Sequence, residues 1–234
     1  MKPKLIFLSG LLCDSTIWSK QLDFFSSEYE VCAVDFRDLD NFQDMAQKVI
    51  KLIDASCTVI GHSMGARVAL EVYRLAPQHI SQLALLDFGI HGTMPGEVEK
   101  RIALIEAVHT NGMKYLIPHW LEPMMYSQNI SVTEIFEPME NMVLSQTLNS
   151  FQAQIHALLH RPEVKELFAQ INIPLYLGVG REDQWSTLSQ HQAMLELNPI
   201  AQLNIYEQSG HMSPLEAAEQ VNQSLKEWLK NIHE

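Results

Sequence analysis

The stretch Val59 to Glu71, VIGHSMGARVALE, decides the fold. Thr58, Val59 and Ile60 form a short β-branched run that stops at Gly61, and after Gly65 the residues Ala66, Val68, Ala69, Leu70 and Val72 recur at helical spacing. The pattern predicts strand, tight turn and helix, with Ser63 at the tip of the turn. Gly61 and Gly65 flank it as GxSxG, because so sharp a reversal brings backbone against backbone two residues either side of the tip. Ser63 is thereby raised at the start of a helix, whose unpaired amides and dipole favour negative charge. An ordinary serine in a glycine-flanked turn also fits the pattern, so a catalytic reading needs an acid and a base further along, each at the end of a strand.

Working outward, the same strand and helix rhythm recurs. Lys4 to Ser9 (KLIFLS) is apolar without alternation, as in parallel sheets covered on both faces. A helix is predicted around Ile17 to Phe25, a strand at Tyr29 to Asp35, and a helix from an Asn41 cap to about Asp54, followed by the Ser63 turn and a strand at Leu83 to Phe88. Between Gly89 and Ile171 no run reads as a strand, and a structureless loop of that length is excluded by its size. Helical patterns fill it: Val98 to Val108, Tyr115 to Trp120, Ile135 to Val143 and Phe151 to Leu159. The sheet resumes at Pro174 to Gly180, with a helix at Leu188 to Leu197, a strand at Gln202 to Tyr206 and a terminal helix from Pro214 to Ile232. This predicts an α/β fold with a mostly parallel sheet of about six strands. Residues 1–90 and 172–234 form its core, and 91–171 an inserted helical cap.

Composition narrows the function. A chain of 234 residues with 47% hydrophobic and 19% charged residues is globular and long enough for a full core. Its net charge of -12, spread along the chain, argues against nucleic acid and anionic membrane surfaces as partners. No apolar run reaches the ~18 residues of a membrane span, and MKPKLIFLSGLLCD is too short in its apolar part for a signal peptide. A cytoplasmic location is expected. Cys13, Cys32 and Cys57 show no CxxC spacing and read as reduced thiols.

In open parallel sheets, ligands bind beyond the carboxyl ends of the strands. The strand at Leu175 to Val179 runs into Gly180-Arg181-Glu182-Asp183, and that ending at Tyr206 into Glu207-Gln208-Ser209-Gly210-His211. Ser63, Asp183 and His211 thus follow one another as nucleophile, acid and base. A serine hydroxyl is a poor nucleophile until a histidine takes its proton, and a carboxylate holds the resulting imidazolium. Glu182 and Asp87 are rival acids; Asp183 is favoured because the Gly-x-x-Asp turn directs it beyond the strand. An oxyanion requires two donors, assigned to the amides of Met64, next to the nucleophile, and Leu11, in the loop after the first strand.

With these pieces in place the chain resembles the α/β-hydrolase superfamily over nearly its whole length, through FLSGLLCDSTIW, VIGHSMGARVALE, LHRPEVKELFAQINIPLYLGVGREDQW and YEQSGHMSPLEAAEQVNQSLKEWL. Within it, the chain is similar to small esterase-like members with a four-helix cap, such as pimeloyl-carrier-protein methyl ester esterases. The resemblance implies the same triad and the same two oxyanion amides. Two departures stand out: Ser9-Gly10 replaces the usual His-Gly of the first loop, and the first strand here corresponds to the family's third.

Other constellations point less far. His156 and His160 have the spacing of two metal ligands on a helix, but without an HExxH glutamate or a third ligand no metal is expected, and nothing indicates a cofactor. Leu12, Trp120, Met124 and Trp185 are candidate substrate-pocket residues; Met125, Met139, Met142, Tyr126 and Phe136 read chiefly as packing between cap and sheet. The expectation is a serine hydrolase acting on a small-molecule carboxylic ester with a small to medium apolar acyl group. A thioesterase, a C–C hydrolase or a lyase would use the same triad, and a ligand-binding protein could keep the fold without turnover. Docking of a carrier protein would call for basic residues on the cap, where Lys100, Arg101, Lys114, Arg161 and Lys165 are few and scattered.

Overall fold

A computed structural model describes residues 2–230. Six strands, β1 (Lys4–Leu8), β2 (Glu30–Val34), β3 (Cys57–His62), β4 (Ile80–Leu86), β5 (Leu175–Gly180) and β6 (Ala201–Tyr206), form one parallel sheet in the order β2-β1-β3-β4-β5-β6. Every residue of β3 and β5 is buried, which explains their lack of alternation. The helices are α1 (Ser19–Phe25), α2 (Phe42–Ile50), α3 (Met64–Leu75), α4 (Glu97–Asn111), the single turn α5 (Glu122–Met124), α6 (Thr133–Leu144), α7 (Leu148–Leu159), α8 (Lys165–Ala169), α9 (Leu188–Leu197), α10 (Ser213–Glu216) and α11 (Ala218–Lys230). The chain steps from β1 out to β2 and back across β1 to β3, so right-handed crossovers put α1 and α2 on opposite faces. Accordingly α1 packs against α11 and α2 against α3.

Local chemistry sets the boundaries. The Asn41 side chain accepts the Asp44 amide at 2.8 Å and starts α2, whose inner face is Phe42, Met45, Ala46 and Val49. That helix stops before the expected Asp54, because Leu52 and Ile53 bond back three residues and tighten the last turn. The first predicted helix begins as a 3-10 turn at Ser15–Trp18, with Trp18 packed on Phe7 at 5.0 Å between ring centroids. The terminal helix breaks at Ala217 (φ -126°, ψ 40°), and its expected end at Ile232 lies outside the described residues. From β4 to β5 the chain is helical, α4 to α8, with a π-helical turn at Ile117–Leu121 where the second of the four helices was expected.

Candidate active site

Ser63 joins β3 to α3 with φ 54° and ψ -116°, a conformation that costs a non-glycine residue about 1–3 kcal/mol. The flanking glycines make it feasible. A Cβ on Gly61 would lie 2.5 Å from Ala66 Cα, and one on Gly65 would run into the carbonyl oxygen of Leu8.

His211 Nε2 lies 2.8 Å from Ser63 Oγ, and its Nδ1 lies 2.8 Å from Asp183 Oδ2. The other carboxylate oxygen, Asp183 Oδ1, accepts the amides of Trp185 (2.8 Å) and Ser186 (2.9 Å). Burial pushes the Asp183 carboxyl up, but His211 and these amides outweigh it and hold it below its usual range. For His211 burial works downward, and the charge and hydrogen bond of Asp183 turn the net shift upward. The imidazole is thus placed with Nε2 facing the hydroxyl and Nδ1 fixed by a carboxylate, an arrangement suited to a general base.

The rival acids do other work. Glu182 Oε2 accepts the Ser209 amide at 2.8 Å. Asp87 is fully buried at the end of β4, where Oδ1 accepts the Gly180 amide at 3.0 Å and Oδ2 accepts the Ser213 hydroxyl. Burial, then the charge of Asp183, push the Asp87 carboxyl well above its ordinary range. His62 Nε2 donates to the His211 carbonyl at 2.7 Å, so its buried Nδ1 carries no proton and has no partner. Burial, followed by the nearby His211, lowers it to about 3, and it stays neutral.

Leu11 and Met64 both line the cavity beside Ser63. Met64 opens α3, so its amide has no partner within the helix, and among the described residues the Leu11 amide has no hydrogen-bond partner either. Trp120, Met124 and Trp185 also line the cavity. Leu12 does not: with φ 58° it turns into the core, fully buried, while its amide donates to Gln154 Oε1 of α7 at 2.8 Å. Met125, Met139 and Met142 are core. His156 and His160 stack on each other at 4.2 Å, and among the described residues no cluster of metal-ligating side chains forms.

Several residues at the site had no signal in the sequence. Buried Glu216 accepts the amides on both sides of His211, Gly210 (3.1 Å) and Met212 (3.0 Å), through Oε1, and ties them through Oε2 to the Tyr126 amide (2.7 Å) and Asn129 (3.0 Å). The cavity, about 120 Å³, is lined by charged as well as apolar groups: Arg67, Arg101, Arg161 and Glu97 together with Trp120, Met124 and Leu158. Arg101 and Arg161 thus belong to the cleft rather than to a docking face, whereas Lys100, Lys114 and Lys165 are exposed.

A serine in the turn after a strand, an acid and a histidine set together beyond the carboxyl edge of a parallel sheet are the arrangement found in α/β hydrolases. The chain belongs to the α/β hydrolase family, whose model matches residues 5–224. It is 23% identical over 256 residues to a putative carbamate hydrolase, RutD, of Stutzerimonas stutzeri, covering 97% of this chain and 91% of that one. It is 22% identical over 241 residues to (E)-2-((N-methylformamido)methylene)succinate hydrolase of Acinetobacter baylyi, covering 97% and 90%. Against the dihydrolipoyllysine-residue acetyltransferase component of the acetoin cleaving system of Pseudomonas putida (26% over 214 residues) the match covers 82% of this chain and about half of the relative, 51%. Among solved structures, an esterase of Thermogutta terrifontis superposes with a TM-score of 0.91 at 22% identity, covering 100% of this chain and 92% of that one. An enol-lactonase of Burkholderia xenovorans LB400 gives 0.88 at 16%, covering 98% and 92%. These likenesses establish the fold.

Proposed function

We propose that the protein is a serine hydrolase that cleaves a small-molecule carboxylic ester through an acyl-enzyme on Ser63. The observation that carries this reading is the unbroken line from Ser63 Oγ through both nitrogens of His211 to Asp183, each link 2.8 Å, at the wall of a cavity. His211 takes the Ser63 proton as Oγ attacks the ester carbonyl carbon, and the Leu11 and Met64 amides receive the oxyanion. Collapse breaks the bond to the alkoxide, which leaves with the proton from His211. Water, deprotonated by the same imidazole, then attacks the acyl-enzyme and frees Ser63.

The segment 91–171 acts in this reading as a cap that supplies Trp120 and Met124 to the cavity wall and, through Gln154, holds the Leu12 amide beside it. A cytoplasmic setting fits the three unbridged thiols, and among the described residues no helix is long and apolar enough to cross a membrane.

The test is labelling with a fluorophosphonate and turnover of p-nitrophenyl esters of increasing chain length, wild type beside Ser63→Ala. Labelling at Ser63, turnover peaking at short chains, and loss of nearly all turnover in a folded Ser63→Ala variant are expected. Full activity in that variant would overturn the mechanism.

A further inference from the structure

Arg67 stands one helical turn beyond Ser63 on α3 and lines the same cavity. Only 5% of it is exposed. Its Nη2 donates to the carbonyl oxygens of Gly89 (2.5 Å) and His91, while Nη1 is buried with no hydrogen-bond partner. Among the described residues no carboxylate forms an ion pair with it. Burial, followed by the neighbouring Arg161 charge, pulls it down to about 9, so it remains protonated at neutral pH.

The other charges around it do not neutralise it. Glu97 is taken by Arg161 on both oxygens (2.8 and 2.7 Å) and by Arg101 Nε (2.8 Å). Arg161 is further satisfied by the carbonyls of Leu158, Gly92 and His91. Arg101 uses only Nε, and its two terminal nitrogens have no hydrogen-bond partner among the described residues. Three guanidiniums therefore share Glu97, with the Glu163 charge also acting on Arg67, and a buried charge without its own counter-ion is costly. Counting both glutamates, the cluster is one anion short.

We propose that the part of the cavity lined by these arginines is a carboxylate subsite, with the Arg67 guanidinium as its inner charge and Arg101 at its rim, and that the ester cleaved at Ser63 carries a free carboxylate. This rests on the hydrolase reading and changes its substrate class: the acyl group expected to be apolar is replaced by a half-ester of a short dicarboxylic acid. A short substrate suits the spacing: four residues of helix rise only ~6 Å from Ser63 to Arg67, and both line one small cavity of about 120 Å³. Arg101 also lines a wider outer cleft with Lys100 and Trp185, which gives an anionic substrate a basic entrance.

The test uses monomethyl succinate and its neutral isostere methyl succinamate. Calorimetric binding to Ser63→Ala, where neither is consumed, is expected to favour the half-ester by roughly ten- to a hundredfold, the range of a charge-assisted hydrogen bond. The preference should fall at least tenfold when Arg67→Gln is added, and several-fold with the partly exposed Arg101→Gln, which guards against misfolding of the Arg67 variant. Equal binding of the two esters, or binding of neither, overturns the subsite. Turnover by wild type separates the two readings. Preferential binding without hydrolysis or labelling of Ser63 leaves the subsite and removes the hydrolase; equal hydrolysis of both esters does the reverse.

Discussion

Asp183 grips His211 with one carboxylate oxygen, Oδ2 to Nδ1 at 2.8 Å, while two amides of its own loop hold the other. The carboxylate is thus fixed before it fixes the histidine. In the proposed mechanism turnover needs neutral His211, and its pKa is raised above the ordinary 6.5, so kcat/KM should climb with pH through a midpoint above that value. In Asp183→Asn the largest raising influences disappear while burial and the weaker pull of Asp87 and Glu216 remain. The midpoint should move down, and the limiting rate should fall by roughly 10⁴, the loss typical when a triad carboxylate becomes an amide. A pH profile with p-nitrophenyl acetate measures both.

Asp87→Asn supplies the contrast. Asp87 sits at a strand end where an acid could serve, but its hydrogen bonds go to Gly180 and Ser213, and burial pushes its carboxyl upward. An amide can accept from Gly180 with its oxygen and donate to Ser213 with its nitrogen. Activity within about tenfold of wild type is therefore expected, with a smaller downward move of the pH midpoint than in Asp183→Asn, since Asp87 raises His211 less than Asp183 does. A collapse equal to that of Asp183→Asn would make Asp87 the working acid.

Gln154→Leu should act on the oxyanion loop from a distance. Gln154 holds the Leu12 amide, next to Leu11, and the substitution leaves that buried donor unpaired. The expected cost is about 1–3 kcal/mol of stability. Because the loop carries the Leu11 amide proposed to receive the oxyanion, kcat should fall about tenfold or more while KM moves little. Urea denaturation and steady-state kinetics on the same sample distinguish this from simple unfolding.

What the sequence made legible was whatever announces itself locally. Ser63, Asp183 and His211 each follow a strand and sit in a turn marked by glycine, so order and position could be read without coordinates. Arg67, Glu216 and Gln154 could not. Each lies on a helix, where a charged or amide side chain ordinarily faces water, and each is buried by a segment distant in sequence: Arg67 under Gly89 and His91, Glu216 beneath Tyr126 and Asn129, Gln154 against Leu12. Leu12 went the other way, since nothing in two adjacent leucines reveals which takes the left-handed φ that turns it from the cavity. The terminal helix hid its break at Ala217, where Glu216 bonds back to the His211 loop.

Glu97 makes the cavity's charge balance testable through stability. Burial raises its carboxyl, but hydrogen bonds from Arg161, the Met94 amide and Arg101 prevail and hold it at about 2, against 4.5 for a free glutamate. A folded-state pKa depressed in this way means that the pair's stabilisation is complete above 4.5 and drains away as pH falls from there toward 2. Glu97→Gln should therefore lower the urea midpoint clearly at pH 7, and the gap to wild type should narrow steadily below 4.5 as the native glutamate itself becomes neutral. A gap that stays constant across that window would mean that the glutamate contributes through packing rather than charge, and Arg161, with its three carbonyl partners, would then be held without it.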